Sequence, residues 1–219
     1  MEIEKIIKNL KSERKVFFSE SDFQFALAWE IQKFYDKAKI RLEYPFQYEE
    51  DGKNRYIDII VTLEDKKYPI ELKYKTLSLE VEDNGEEYKL KNQGAQDHGR
   101  YDYLKDIQRI EKFSESKKYK EKFECGYAIL LTNDESYWNN DKAGCVDEQF
   151  SLKPLKDNTP IPKKMSWREN PKPSKGTISG REASIELTGE YTINWKDYHN
   201  FGDKNGEFKY CLIEIKKGI

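Results

Sequence analysis

The sequence predicts an α/β fold with a mixed central sheet. Three observations indicate it: an amphipathic helix pattern over residues 19–39, two β-rich runs within residues 55–76 that read as a hairpin, and a helix pattern at 101–113 that precedes an apolar run at 126–132. Strands interleaved with helices of this kind are typical of a sheet covered by helices. The chain has 219 residues, which favours one domain.

Composition excludes several classes of protein. Lys and Arg number 39 against 41 Asp and Glu, and aromatic residues make up 14%, so the chain does not have the composition of a disordered protein. No apolar run approaches the ~20 residues that span a bilayer, and the start carries no secretory signal pattern. Cys125, Cys145 and Cys211 are far apart, which argues against structural zinc and predicts a cytoplasmic location without membrane association.

Histidine is scarce, and this limits the chemistry. Only His98 and His199 occur, whereas carboxylates and lysines are abundant. A hydrolase built on a histidine base would have to use one of these two side chains. An enzyme with this composition is therefore expected to rely on carboxylates and lysine.

The first elements are two helices and a strand. Residues 3–10 and 19–39 read as helices, and Ser19 or Ser21 can cap the second. One face of the second helix is apolar, comprising Phe23, Ala26, Leu27, Ile31, Phe34 and Tyr35. Pro45 ends this region, and a strand over 43–48 is expected to lead into a turn at 50–53.

The hairpin at 55–76 is the most informative segment. A four-residue loop at 64–67 would place Leu63 opposite Tyr68 and Asp58 opposite Lys73. One face is then apolar, with Ile57, Ile59, Val61 and Leu63 opposite Tyr74, Leu72, Ile70 and Tyr68. The other face carries Asp58, Glu71 and Lys73. A slip by one residue would set apolar side chains against charged ones, so burial favours this pairing.

A second hairpin follows, around Asn84-Gly85, a sequence typical of a two-residue turn. It is expected to place Val81 opposite Tyr88, and it could overhang a cleft or extend the sheet. Residues 92–100 read as a loop. In the helix at 101–113, Asp106 and Arg109 fall on polar faces, and Arg109 is expected to be solvated. The run at 126–132 is expected to be a buried central strand.

The C-terminal third looks different. Residues 139–176 are rich in proline and polar residues and read mostly as loop, and strands are predicted at 183–187, 190–195 and 208–215. We therefore divide the chain into a core at 1–138 and a loop-rich crossover with a β-rich extension at 139–219, packed on the same domain.

Two carboxylates on one hairpin face repel each other unless a cation lies between them. Asp58 and Glu71 are close enough in the predicted register, and Mg²⁺ accepts one or two carboxylates while keeping water ligands. Lys73 can orient an attacking water or offset phosphate charge, and the carbonyl of Leu72 can be a further ligand. This set suits metal-dependent phosphodiester hydrolysis.

Asp58 followed by Glu71-Leu72-Lys73 resembles the motif of the PD-(D/E)xK nuclease superfamily, although Ile57 stands where the motif has proline. The resemblance covers residues ~19–132 in order of elements. It implies a restriction-endonuclease-like core, DNA as substrate, and Mg²⁺ as cofactor with Mn²⁺ able to substitute. It also implies a third carboxylate from the preceding helix, for which Glu20 is the first candidate and Glu30 the second.

DNA contacts and alternatives complete the expectations. The residues expected to touch DNA are Lys75, Lys89, Lys91, Gln96 and Arg100. A homodimer is one expected state, and no small-molecule cofactor is expected. Glu214-Ile215-Lys216 with Asp203 is a rival motif. Asp58 and Lys73 could instead form a surface salt bridge, and the chain could be a catalytically inactive nucleic-acid-binding or protein-interaction module.

Overall fold

The computed structural model describes residues 1–47 and 52–217. Its helices are α1 (Ile3–Glu13), α2 (Glu20–Phe34), α3 (Gln96–Glu115) and the short α4 (Lys175–Ile178). Its strands are β1 (Lys39–Gln47), β2 (Asn54–Leu63), β3 (Lys66–Lys75), β4 (Leu79–Asp83), β5 (Glu86–Leu90), β6 (Cys125–Thr132), β7 (Lys164–Met165), β8 (Ile185–Glu186), β9 (Trp195–Asn200) and β10 (Glu207–Lys216).

Six strands form the central sheet in the order β1-β2-β3-β6-β10-β9. Strands β3 and β6 are parallel, and the other neighbours are antiparallel. The parallel pair needs a long crossover, which here contains the β4–β5 hairpin and α3. The predicted α/β fold with a mixed sheet is confirmed.

Helices cover both faces of the sheet and create two hydrophobic cores. Helices α1 and α2 pack on one face, over Ile70, Leu72 and the apolar side chains of β6 that point the same way. Helix α3 and segments of the C-terminal third pack on the other face, over Ala128 and Leu130. Strand β6 is buried along its whole length, as predicted for a central strand.

Two helix ends differ from the predicted ones by five residues, the end of α2 and the start of α3. Ser19 caps α2, since its Oγ accepts a hydrogen bond from the Asp22 N–H at 3.1 Å. The helix ends at Phe34 rather than 39, because the chain turns at Ala38 to enter β1. Helix α3 begins at Gln96. The second half of the predicted loop at 92–100 is therefore helical.

The β2–β3 turn is tighter than predicted. Leu63 lies opposite Lys66, not Tyr68, and the turn contains only Glu64 and Asp65. Both have positive φ, 46° and 68°, which is the backbone of a two-residue hairpin turn whose twist matches that of the strands. The predicted four-residue loop and its register are wrong by two residues. Because two is the side-chain period of a strand, each residue keeps its predicted face.

Ile57 is an exception to the predicted face. Ile59 and Val61 lie in the α1–α2 core as expected, whereas Ile57 lies in the α3 core. The alternation breaks where Glu43 of β1 faces Asp58, and Glu43 has a φ of 48°. The side chains of β2 therefore change face between Ile57 and Ile59, beside this irregular backbone, and Ile57 was predicted on the wrong face.

The second hairpin has the predicted register, with Val81 opposite Tyr88. It forms its own two-stranded sheet rather than extending the central one. Tyr88 is buried in the α1–α2 core and stacks on Phe18 with ring centroids 4.3 Å apart. Asp83 pairs with Lys15 at 2.5 Å, which also ties this hairpin to the segment before α2.

The C-terminal third contributes to the central sheet. Strand β10 pairs with β6, and β9 pairs with β10, so residues 195–216 supply two strands of the sheet. The strand predicted at 190–195 is wrong, since only Trp195 belongs to a strand, and the one at 183–187 is reduced to β8.

Tyr48 and the first two residues of the turn predicted at 50–53 lie outside the described residues. Among the helices that the structure describes, none is both long and apolar enough to cross a membrane.

Candidate functional site

The candidate site begins where strands β2 and β3 separate. Their pairing ends at Ile59 and Ile70. One residue further, Oδ2 of Asp58 accepts a hydrogen bond from the Leu72 N–H at 2.6 Å. A carboxylate thus takes the place of a backbone acceptor in the ladder. Continued by one residue, the register sets Asp58 beside Glu71 rather than opposite Lys73.

Glu71 and Lys73 project from β3 toward α3. Lys73 Nζ lies 2.7 Å from Asp106 Oδ2 and donates a hydrogen bond to the Leu72 carbonyl at 3.0 Å. The sequence placed Asp106 on a polar face of the helix, and in the structure this side chain is 1% exposed. Asp106 is buried because the face of α3 that carries it packs over the charged end of β3.

Arg109 contacts the carboxylates of both Asp106 and Glu71. Its Nη1 donates to Asp106 Oδ1 at 2.8 Å and lies 2.9 Å from Glu71 Oε1. The contact with Glu71 is an ion pair without hydrogen-bond geometry, since neither Glu71 oxygen has a hydrogen-bond partner. Positive and negative side chains therefore alternate along a series of contacts. It runs from Lys73 on β3, through Asp106 and Arg109 on α3, back to Glu71 on β3. Arg109 was predicted to be merely solvated, and this was wrong.

Of the two helix carboxylates considered, Glu20 is the one at the site. Its Oε2 accepts the N–H of Tyr74 at 2.8 Å, next to Lys73 on β3. Glu30 is 2% exposed and pairs with Lys33 at 2.6 Å on its own helix. Because Glu20 is in the first turn of α2, the helix N-terminus also favours its negative charge.

Gln24 was not identified from the sequence. Its Nε2 donates to the Asp58 carbonyl at 2.7 Å and to Glu43 Oε1 at 2.9 Å. It thereby fixes the backbone at the irregular point of β1 and β2. Its spacing of one helical turn from Glu20 was the available signal.

Burial and mutual charge alter the ionisation of the cluster. Burial raises the pKa of Asp58 from an ordinary 3.8 to about 6. Burial also raises the pKa of Glu71 well above its usual value, although Arg109 opposes this. Burial alone would lower the pKa of Lys73, but the surrounding carboxylates, Asp106 first, outweigh it and the pKa is raised. The lysine is therefore held as a cation.

The cluster has the charge and the donor atoms that suit a hard divalent cation. The carboxyl groups of Glu20, Asp58, Glu71 and Asp106 face two cationic groups, so their charge would exceed that of the cations by two if all four were ionised. Both Glu71 oxygens are buried without a hydrogen bond, and carboxylate oxygens are ligands that Mg²⁺ accepts.

The number of side chains arranged to hold a cation is small. Within residues 1–47 and 52–217, no group of three Asp, Glu, His or Cys side chains is arranged to hold a metal ion. A cation here would be held by Asp58 and Glu71 with water completing its shell, as Mg²⁺ commonly is. The Leu72 carbonyl, predicted as a ligand, accepts from Lys73 in this structure, and Glu20 is bound to Tyr74.

The residues expected to contact DNA fall into two groups. Lys75 is half-buried at the end of β3, the strand that carries Glu71. Lys89, in β5, and Lys91, just after it, are exposed. Gln96 is half-buried and donates to Asp134 Oδ2 at 3.0 Å.

Arg100 does not fit its predicted role. It is 2% exposed, its Nε donates to Asp147 Oδ2 at 2.9 Å, and its guanidinium lies over the Tyr137 ring. A guanidinium buried against a carboxylate is not presented to a phosphate. The expected DNA contact of Arg100 is therefore corrected to a structural ion pair.

The rival motif in β10 has no comparable surroundings. Glu214 and Lys216 are side by side on the strand surface, with 45% and 78% of their side chains exposed and charged atoms 3.9 Å apart. Asp203 lies in the turn between β9 and β10. This arrangement is an ordinary surface pair.

Comparison with known proteins adds no assignment. No protein-family model, no curated protein and no solved structure matches this chain.

Proposed function

We propose that this protein is a metal-dependent nuclease that hydrolyses phosphodiester bonds in DNA. Asp58 and Glu71 bind Mg²⁺, for which Mn²⁺ can substitute, and Lys73 assists the attacking water. Glu20 supports the site from helix α2.

One observation carries the proposal: carboxyl groups from α2, β2, β3 and α3 converge around Lys73 and outnumber the cationic groups beside them. Taking a carboxylate out of water is costly unless it is paired and hydrogen-bonded. Glu71 is 1% exposed and its oxygens lack hydrogen bonds. Such an arrangement weakens the fold, and buried groups with displaced pKa values cluster at functional sites.

The chain's own residues supply the remaining parts. Asp58 and Glu71 offer the oxygens, and a cation held there lowers the pKa of bound water and offsets charge on the phosphorus centre. Lys73, kept cationic by its neighbours, can donate hydrogen bonds to water or phosphate. Asp106 and the Leu72 carbonyl fix the position of the ammonium group.

The order of elements also supports the proposal. The chain runs through helix α2, strands β1 to β3, helix α3 and strand β6. This is the order of elements on which the resemblance to the PD-(D/E)xK superfamily rests. Asp58 lies where β2 leaves β3, Glu71 and Lys73 lie on β3, and Glu20 comes from the preceding helix. DNA is chosen as the substrate on this resemblance.

The test is cleavage of plasmid, linear and single-stranded DNA in Mg²⁺, in Mn²⁺ and in EDTA. We expect wild-type cleavage in either metal, none in EDTA, and none by Asp58→Ala, Glu71→Ala or Lys73→Ala. Glu214→Ala is the matched control, since Glu214 has the same Glu-x-Lys pattern with exposed side chains. Undiminished cleavage by a purified, folded Asp58→Ala protein would sink the proposal.

A second candidate is a catalytically inactive module that binds nucleic acid or a protein. The ion pairs of Lys73 with Asp106 and of Arg109 with Glu71 favour it, because they offset charge without a metal. It predicts DNA binding without cleavage in both metals, or neither activity if the partner is a protein.

A further inference from the structure

Arg109 lies beside the carboxylate that the proposed function assigns to a metal. Its Nη1 is 2.9 Å from Glu71 Oε1, and the Glu71 side chain is fully buried. The guanidinium is thus the positive charge nearest to a carboxylate whose two oxygens accept no hydrogen bond. An arginine that served only to pair with Glu71 would be expected to form a bidentate, hydrogen-bonded contact.

We propose that Arg109 holds the cation position at Glu71 in the metal-free protein and gives it up to a divalent cation. Guanidinium and metal then compete for one carboxylate, and Arg109 sets the metal concentration at which the site fills. This inference rests on the proposed metal role of Glu71.

The contacts of Arg109 allow such an exchange. Arg109 donates a hydrogen bond to Asp106 Oδ1, at 2.8 Å, whereas Glu71 accepts none. The guanidinium can therefore leave Glu71 while Asp106 retains it. The Arg109 side chain is 21% exposed, so part of it already reaches solvent and a small rotation need not disturb the α3 core.

Electrostatics makes the competition necessary. Two positive groups on adjacent oxygens of one buried carboxylate repel each other, and burial weakens the screening by water. A divalent cation at Glu71 thus displaces the guanidinium or binds more weakly because of it. Asp106 also pairs with Lys73, so the displaced Arg109 remains next to the lysine that acts on the water.

The test compares metal affinity in matched variants. Mn²⁺ binding to wild type, Arg109→Gln, Arg109→Lys and Lys105→Gln is measured by calorimetry at one pH, with the Mn²⁺-induced rise in melting temperature as a second readout. Lys105→Gln is the control, because it removes one positive charge from the same helix, one turn before Arg109; Lys105 Nζ donates to Gln108.

We expect Arg109→Gln to bind Mn²⁺ at least about fivefold more tightly than wild type, the lower end of typical coupling between sites. Arg109→Lys and Lys105→Gln should stay closer to wild type. The Mn²⁺-induced rise in melting temperature should be largest for Arg109→Gln. A crystal soaked in Mn²⁺ gives an independent check in the wild-type protein, where Arg109 should have left Glu71.

The outcomes separate this inference from the proposed function. Equal or weaker Mn²⁺ binding by Arg109→Gln, or a soaked crystal with metal bound and Arg109 still on Glu71, overturns the inference while wild-type cleavage still supports the nuclease. Absence of metal binding and of cleavage in both proteins overturns both. Binding by Arg109→Gln alone supports the inference.

Discussion

The ammonium group of Lys73 lies 2.7 Å from Oδ2 of Asp106, which joins strand β3 to helix α3 at the charged end of the hairpin. The carboxylate side chain is 2% exposed and the lysine side chain 16%. Lys73 is thereby held in one place before any ligand arrives. In the proposed nuclease, Asp106 is a positioning residue that acts through Lys73.

Asp106→Ala should reduce cleavage by about 10- to 100-fold, the range typical when a supporting group around a metal site is lost. The reason is that Lys73 loses its ion-pair partner, whereas the carboxylates assigned to the metal remain. Mn²⁺ affinity measured by calorimetry should therefore change much less than the rate. Asp102→Ala is the control, because Asp102 lies on the same helix as Asp106 but pairs with Arg181 instead of a residue of β3. Equal loss of rate in the two variants would contradict the role of Asp106.

The raised pKa of Asp58 predicts a specific dependence of stability on pH. Between 3.8 and about 6 the folded protein keeps a proton on Asp58 that the unfolded chain has released. The free energy of unfolding should therefore fall as the pH rises through this window, by about 3 kcal/mol from this group alone.

Asp58→Asn should lack this decrease and be more stable than wild type at neutral pH in EDTA, although it should not cleave DNA. The amide oxygen can still accept the Leu72 N–H. Urea unfolding at a series of pH values measures the difference, and Mg²⁺ should reduce it by stabilising the wild type. If the free energy of unfolding changed with pH in the same way for the two proteins, Asp58 would carry no unfavourable charge.

The two helix carboxylates should behave differently. Glu20→Gln keeps an oxygen that can accept the Tyr74 N–H, so the fold should persist while cleavage falls by about tenfold or more. Glu30→Gln loses the pair with Lys33 and should retain cleavage. Initial rates of plasmid nicking, normalised to folded protein, decide between them. The opposite ranking would mean that Glu30 serves the site.

Arg100 and Lys91 should separate stability from DNA binding. Arg100→Ala leaves the buried Asp147 with only its longer contact to Lys142, at 3.9 Å, and should destabilise the protein by about 3–5 kcal/mol, measured by urea unfolding. Lys91→Ala should leave stability unchanged and reduce by about one the slope of log K for DNA against log salt. An unchanged slope would remove Lys91 from the DNA-binding surface.

Local pattern accounts for much of the fold. The β4–β5 register follows from Asn84-Gly85, both of which have positive φ in the structure. The Ser19 cap and buried β6 were also predictable, because capping and burial depend on residues near in sequence. The β2–β3 turn was not, since Glu64 is a poor signal for the left-handed backbone that it and Asp65 adopt.

The sequence by itself determined the α/β order of elements, the mixed sheet, and the shared strand of Glu71 and Lys73. Only the tertiary structure decided that Glu20 rather than Glu30 reaches β3, that Arg100 is buried against Asp147, and that Asp106 and Arg109 complete the charged cluster. Side-chain periodicity reports which face of an element is apolar. A partner brought close by a crossover leaves no periodic signal, because charge pairing across the sheet depends on which helix covers which end of it.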